Sequence, residues 1–243
     1  MPSSFKNTII PVVEAAEQIK PSSVLDIGIG FGKWGFLLRE YLEVSKEHDI
    51  YGEEGRFKWT LKIDGIEVCE KYIKDLHRSI YNNIFVGDAF NLIDGLGQYD
   101  LVILGDVIEH FEKEKGRALV RKCVDKARKA VIISTPTYFF NQRNWYGNVA
   151  EKHKSLWTES DFSHYQNIDV YYSRGVMVVI IKKISKKIRL ENSDRFRILH
   201  RFIASLQSRN INKYGTEGFD RGNILNFYNW LRTCKYWLLK RTI

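Results

Sequence analysis

Residues 24–35 read VLDIGIGFGKWG. A short apolar run reaches an acid at Asp26 and passes at once into glycines at positions 28, 30, 32 and 35. From Lys33 to Val44, the apolar residues Trp34, Phe36, Leu37, Leu38, Tyr41 and Leu42 predict a helix. Strand, glycine turn and helix in that order let the backbone come close to a ligand and aim the helix's open N–H groups at it.

The same alternation continues outward. Apolar runs at 61–68, 84–87, 100–105 and 130–134 read as further strands, and helices are predicted over 5–19, 70–80 and 109–128. Strands that are nearly all apolar and separated by helices predict a parallel sheet covered on both faces. Residues 168–173 and 176–182 break the pattern, as two β-rich runs around Arg174-Gly175. They predict an antiparallel pair at the end of the sheet. Residues 45–60 lack periodicity and read as an insertion; 137–157 read as a long loop.

Composition narrows the class. The chain has 243 residues, 44% hydrophobic and 28% charged, which suits a globular protein with one full core and an appendage. The longest clean apolar run, Val176 to Ile181, is too short to span a bilayer. The first twenty residues lack the apolar core of a signal peptide. Cys69, Cys123 and Cys234 form no disulfide or zinc pattern, which suits a cytoplasmic protein. Net charge is +9, and residues 186–243 hold 13 Lys and Arg against 4 Asp and Glu, so the whole excess lies there. The boundary falls near residue 185. Residues 1–185 form the sheet domain and 186–243 a basic, aromatic-rich helical extension.

Acids stand at four successive strand ends: Asp26, Glu67, Asp88 and Asp106. In open α/β sheets that edge is where ligands bind. The frame Gly30-x-Gly32-x-x-Gly35 fits a dinucleotide turn, but it starts four residues after the strand, and Glu67 lies beyond the usual spacing of about 20. A carboxylate at Asp26 suits a cationic amino group better than a pyrophosphate. The pattern favours an amino-acid nucleoside.

These residues resemble class I S-adenosylmethionine-dependent methyltransferases over roughly 20–183. The resemblance implies a Rossmann-like seven-stranded sheet with an antiparallel last strand, and S-adenosyl-L-methionine as cofactor. It implies that Asp26, Gly28, Gly30 and Gly32 hold the methionine end, that Glu67 takes the ribose hydroxyls, and that Asp88 and Ala89 lie at the adenine. Asp106 closes the cofactor side.

The acceptor side is read from YDLVILGDVIEHF (99–111), STPTYFF (134–140) and EKHKSLWTESDF (151–162). Spacings of three and four put Glu109 and His110 on one helical face near Asp106. His153 lies in a loop able to fold back over them. Two carboxylates and two imidazoles suit a divalent cation such as Mg, which gives Asp106, Glu109, His110 and His153 as candidate ligands. Direct base catalysis by His110 or His153 beside Asp106 stays open. The quartet is similar to that of small-RNA 3′-terminal 2′-O-methyltransferases and of ubiquinone-biosynthesis O-methyltransferases, with Asp106 one methylene shorter than their glutamate. The run Gly147-Asn148-Val149-Ala150-Glu151-Lys152-His153-Lys154-Ser155-Leu156-Trp157 resembles a longer stretch of bacterial methyltransferases of saccharide and natural-product pathways.

The expected reaction is therefore O-methylation of a saccharide or small-molecule hydroxyl. RNA ribose and a non-catalytic cofactor-binding scaffold are the alternatives. For residues 186–243 three roles stay open: packing on the sheet or a second subunit of a homo-oligomer, peripheral attachment to an anionic membrane surface, and RNA binding.

Overall fold

The structure is a computed structural model and describes residues 3–46, 58–139, 147–173, 175–183 and 188. Most of the predicted 45–60 insertion, Arg174, and the extension over 186–243 apart from Ile188 lie outside the described residues. Strands β1 (Ser23–Ile27), β2 (Lys62–Glu67), β3 (Asn83–Val86), β4 (Tyr99–Gly105), β5 (Ala127–Pro136), β6 (Ile168–Ser173) and β7 (Val176–Lys182) form one seven-stranded sheet in the order β3-β2-β1-β4-β5-β7-β6. β1 pairs in parallel with β2 and β4, whereas β7 runs antiparallel between β5 and β6. This is the Rossmann-like methyltransferase fold that the resemblance implies.

The helices are α1 (Ile9–Ile19), α2 (Lys33–Leu42), α3 (Asp75–Ile80), α4 (Ala89–Leu92) and α5 (Lys113–Lys126). The strands' alternation divides the core. Leu25, Ile27, Val102 and Leu104 pack with α5's Leu119 and Cys123 on one face, and with Trp157. Val24, Leu101, Ile103 and Ile132 pack with α1's Val12 and Ala16 and α2's Trp34 and Leu38 on the other. All are buried, so each face removes a continuous apolar layer from water. Pro11 falls within α1's first turn, where its missing N–H costs nothing. No helix among the described residues is long and apolar enough to cross a membrane.

Two predicted helices are corrected. The stretch 70–80 is a single 3-10 turn, Glu70–Tyr72, followed by an extended step and then α3. Here the Lys74 N–H donates to His77 Nδ1 at 2.9 Å, so a new helix is capped rather than the first continued. The helix predicted from 109 begins instead at Lys113, after a 3-10 turn over Ile108–His110. Its cause is Asp106, whose φ of +55 turns the chain away from the strand and interrupts any continuous helix.

Candidate functional site

β1 and β4 are neighbours whose following connections leave in opposite directions, which makes their carboxyl ends the switch point of the sheet. A cavity of about 720 Å³ opens there. That volume is ample for a small-molecule site, which typically measures about 300–1,000 Å³. Its lining includes Gly28, Gly30, Glu67, Asp88, Ala89, Asp106, Glu109, His110 and His153.

Glu67 ends β2 and is buried. Its Oε2 accepts the Gly30 N–H at 2.9 Å and its Oε1 accepts the Cys69 N–H at 2.8 Å. The carboxylate is thereby fixed in plane beside the glycine turn. Burial raises its pKa, and the nearby charge of Glu151 adds to that. His77, absent from the sequence reading, holds the turn from the far side. Its Nδ1 is an acceptor, so its Nε2–H donates to the Gly30 carbonyl at 3.1 Å. Asp88 caps α4 by accepting the Phe90 N–H at 2.9 Å, and its other oxygen pairs with Lys115 at 2.8 Å. These contacts hold the Asp88 pKa below the ordinary carboxylate value against the opposing pull of burial.

Asp26 and Gly32 do not line the cavity. Asp26 is fully buried on the face under α2 and α3, where the Tyr81 hydroxyl donates to its Oδ2 at 2.6 Å. Its Oδ1 has no hydrogen-bond partner among the described residues. Burial pushes its pKa up to about 7 despite the Tyr81 bond. Strand alternation thus points its side chain behind the turn, where it meets Tyr81 and not the cavity that Gly28 and Gly30 line. Gly32 is the N-cap of α2.

At the opposite end, Glu109, His110 and His153 come together, with one donor atom from each lying within 4.8 Å of the others. The two imidazole centroids are 4.9 Å apart, edge to face. The loop bearing His153 is pinned because the Lys154 and Ser155 N–H groups both donate to the Glu109 carbonyl, at 2.8 and 3.1 Å. Trp157 seats the end of that loop in the core and donates to Ser155 Oγ at 2.9 Å. The start of the loop is tied by Tyr72, whose hydroxyl donates to Glu151 Oε1 at 3.1 Å. Sequence marks Glu151 only as part of the 147–157 run, and Tyr72 not at all. Only their apposition across 79 positions reveals them.

Burial raises the Glu109 pKa well above the carboxylate range, and the charge of Asp106 adds to it. Burial pushes His153 down to about 3, with His110 contributing, and lowers His110 as well. Both imidazoles are thus neutral near pH 7. Glu109 Oε1 is buried with no hydrogen-bond partner among the described residues, and Oε2 accepts the Thr135 hydroxyl at 3.3 Å. An orphaned buried oxygen beside two neutral imidazoles fits a divalent cation with three protein ligands.

Asp106 does not join that cluster. Its Oδ2 accepts the Phe5 N–H at 2.7 Å and its Oδ1 accepts the Ser134 hydroxyl at 3.0 Å. The structure thus brings together three of the four expected metal ligands, Glu109, His110 and His153, while Asp106 lines the cavity outside that group. Burial raises its pKa to about 6, opposed by the Phe5 and Ser134 bonds and by Lys33.

Among solved structures, two similar chains carry O-methyltransferase descriptions. An O-methyltransferase family protein from Burkholderia thailandensis matches with a TM-score of 0.51 at 12% identity, over 74% of this chain and 56% of that one. A candidate O-methyltransferase from Nostoc punctiforme matches with a TM-score of 0.50 at 19% identity, over 73% of this chain and 56% of that one. The matched region thus spans just over half the length of each. No family model and no curated protein matches the chain. The fold is that of class I methyltransferases, as strand order and these structural likenesses agree.

Proposed function

We propose that the chain is an S-adenosylmethionine-dependent methyltransferase acting on a hydroxyl oxygen of a saccharide or small molecule. One observation carries this reading. A single cavity joins a carboxylate locked beside a glycine turn, Glu67, to a cluster of side chains that suit taking a proton or holding a metal, Glu109, His110 and His153. Glu67 suits a ribose diol, and the backbone at Gly28 and Gly30 leaves room for a ligand chain. Bound there, the donor supplies a methyl carbon on a cationic sulfur, which leaves as a neutral thioether when the acceptor oxygen takes the carbon.

The chain's own residues position the acceptor and take its proton. His110 Nδ1 lies 3.4 Å from the Lys152 carbonyl, so a proton on Nδ1 leaves Nε2 as the proton acceptor. His153, pushed lower, is the weaker base and serves to orient. Glu109, His110 and His153 would hold a divalent cation, and such a cation would acidify the acceptor hydroxyl. The locked 147–157 loop fixes the acceptor's approach, and orientation of this kind supplies much of the rate in methyl transfer.

RNA ribose is the second reading, favoured by the Glu109–His110–His153 grouping itself. The test is incubation with methyl-labelled donor and fractionated cell extract. Label in glycan or small-molecule fractions supports the first reading, and label in RNA supports the second. Absence of label in every fraction despite donor binding would favour a non-catalytic scaffold.

A further inference from the structure

Residues 3–6 form one wall of the cavity although they belong to neither the sheet nor the glycine turn. Polar contacts from the end of β4, from Asp106 just after it and from α2 hold them. The Phe5 N–H donates to Asp106 Oδ2, and the Ser4 hydroxyl donates to the Gly105 carbonyl at 2.9 Å. Trp34 Nε1–H donates to Ser4 Oγ at 3.2 Å, and the Lys33 ammonium donates to the Ser4 carbonyl. The close fit is built into the chain. A Cβ at Gly105 would stand 1.9 Å from Trp34 Nε1 and 2.9 Å from Ser4 Oγ, so glycine is required for the segment to lie down there. Asp106 presents its carboxylate from a left-handed backbone that side-chain-bearing residues rarely adopt, with Asp and Asn among the exceptions. Ser134 braces it twice, donating to Oδ1 and accepting the Asp106 N–H at 3.1 Å.

The two segments that cover the cavity differ in how they are anchored. The 147–157 loop ends in Trp157, which is 1% exposed in the core. Residues 3–6 place no fully buried apolar side chain, and their fixed point is Thr8, whose N–H and hydroxyl both donate to the Phe5 carbonyl. Segments with few buried apolar contacts open locally at low cost.

We propose that residues 3–8 are a strap that opens to admit the methyl donor and to release the product nucleoside. Asp106 is its latch, a positioning residue that acts on the cavity wall and on none of the reacting atoms. This inference rests on the donor assignment above.

Phe5 has φ −59 and ψ 140, a conformation that proline adopts without strain. Phe5→Pro therefore deletes the N–H that Asp106 holds, while Phe5→Ala removes the same ring and keeps that N–H. Release of S-adenosylhomocysteine from the full chain is followed by stopped flow. Phe5→Pro releases it about 10-fold faster than Phe5→Ala, as expected for loss of a hydrogen bond to a charged group. Association quickens as well, because the same opening admits the ligand. Asp106→Gly, which keeps the left-handed backbone and removes the carboxylate, reproduces the fast release with an unchanged far-ultraviolet spectrum. In the unaltered chain, amide exchange over residues 3–8 slows when the nucleoside is bound. Equal release rates from Phe5→Pro and Phe5→Ala overturn the strap while leaving the donor assignment standing. Failure of the unaltered chain to bind the nucleoside at all overturns both.

Discussion

Replacing Glu67 by glutamine isolates what its carboxylate does. Glu67 accepts two backbone N–H groups, from Gly30 and Cys69. An amide offers one acceptor oxygen, so one of these donors must face an NH₂ group. The Gly30 contact is buried and the Cys69 contact is half-exposed, so the amide oxygen turns to Gly30 and Cys69 takes water. The lost bond costs about 1 kcal/mol. Removing a carboxylate whose pKa burial has raised returns part of that cost. Stability therefore changes by less than about 1 kcal/mol, and the melting temperature by less than about 4 °C. Affinity behaves differently. The ribose diol loses a charged acceptor, which costs about 1.5–3 kcal/mol, or a rise of roughly 10- to 100-fold in the Kd of S-adenosylhomocysteine. Thermal unfolding and calorimetric titration measure the two effects side by side. An unchanged Kd refutes the assignment of Glu67 to the ligand, and a collapse of the melting temperature shows a purely structural role.

Other substitutions test the remaining parts. Gly28→Ala adds a Cβ 2.6 Å from Val107 Cγ2 at a φ of +75, and is expected to destabilise by about 2–4 kcal/mol in denaturant unfolding, with an unaffected midpoint contradicting the account. Glu109→Gln removes any stabilisation that added Mn or Mg confers in thermal unfolding, and persistence of a metal-induced shift would place the cation elsewhere. Asp26, which burial raises to about 7, contributes stability that is present below its unfolded value and lost as pH rises through 7, so the unaltered chain loses stability relative to Asp26→Asn over that range, and a relative gain would contradict the sign.

Much of the fold was legible because its signals are local. Apolar runs ending in an acid mark β1, β2 and β4, and the short turn before β7 marks the reversal. Proximity of Glu109, His110 and His153 was also legible, through spacing and a loop long enough to return. What was not legible depends on tertiary direction. Asp26 looks like a site residue in sequence, but the period of two along β1 turns it toward Tyr81. Asp106 looks like the start of a helical ligand face, yet its left-handed φ both breaks that helix and hands its carboxylate to Phe5. Tyr81 and Tyr72 carry no local signal, since each matters through a partner 55 or 79 positions away.

The most direct test of the central claim is a crystal structure of the chain grown with S-adenosylhomocysteine. The account predicts one nucleoside thioether in the cavity, ribose oxygens within hydrogen-bond distance of Glu67, and sulfur facing the Glu109–His110 side. An empty cavity, or its occupation by a dinucleotide in preference, would contradict it.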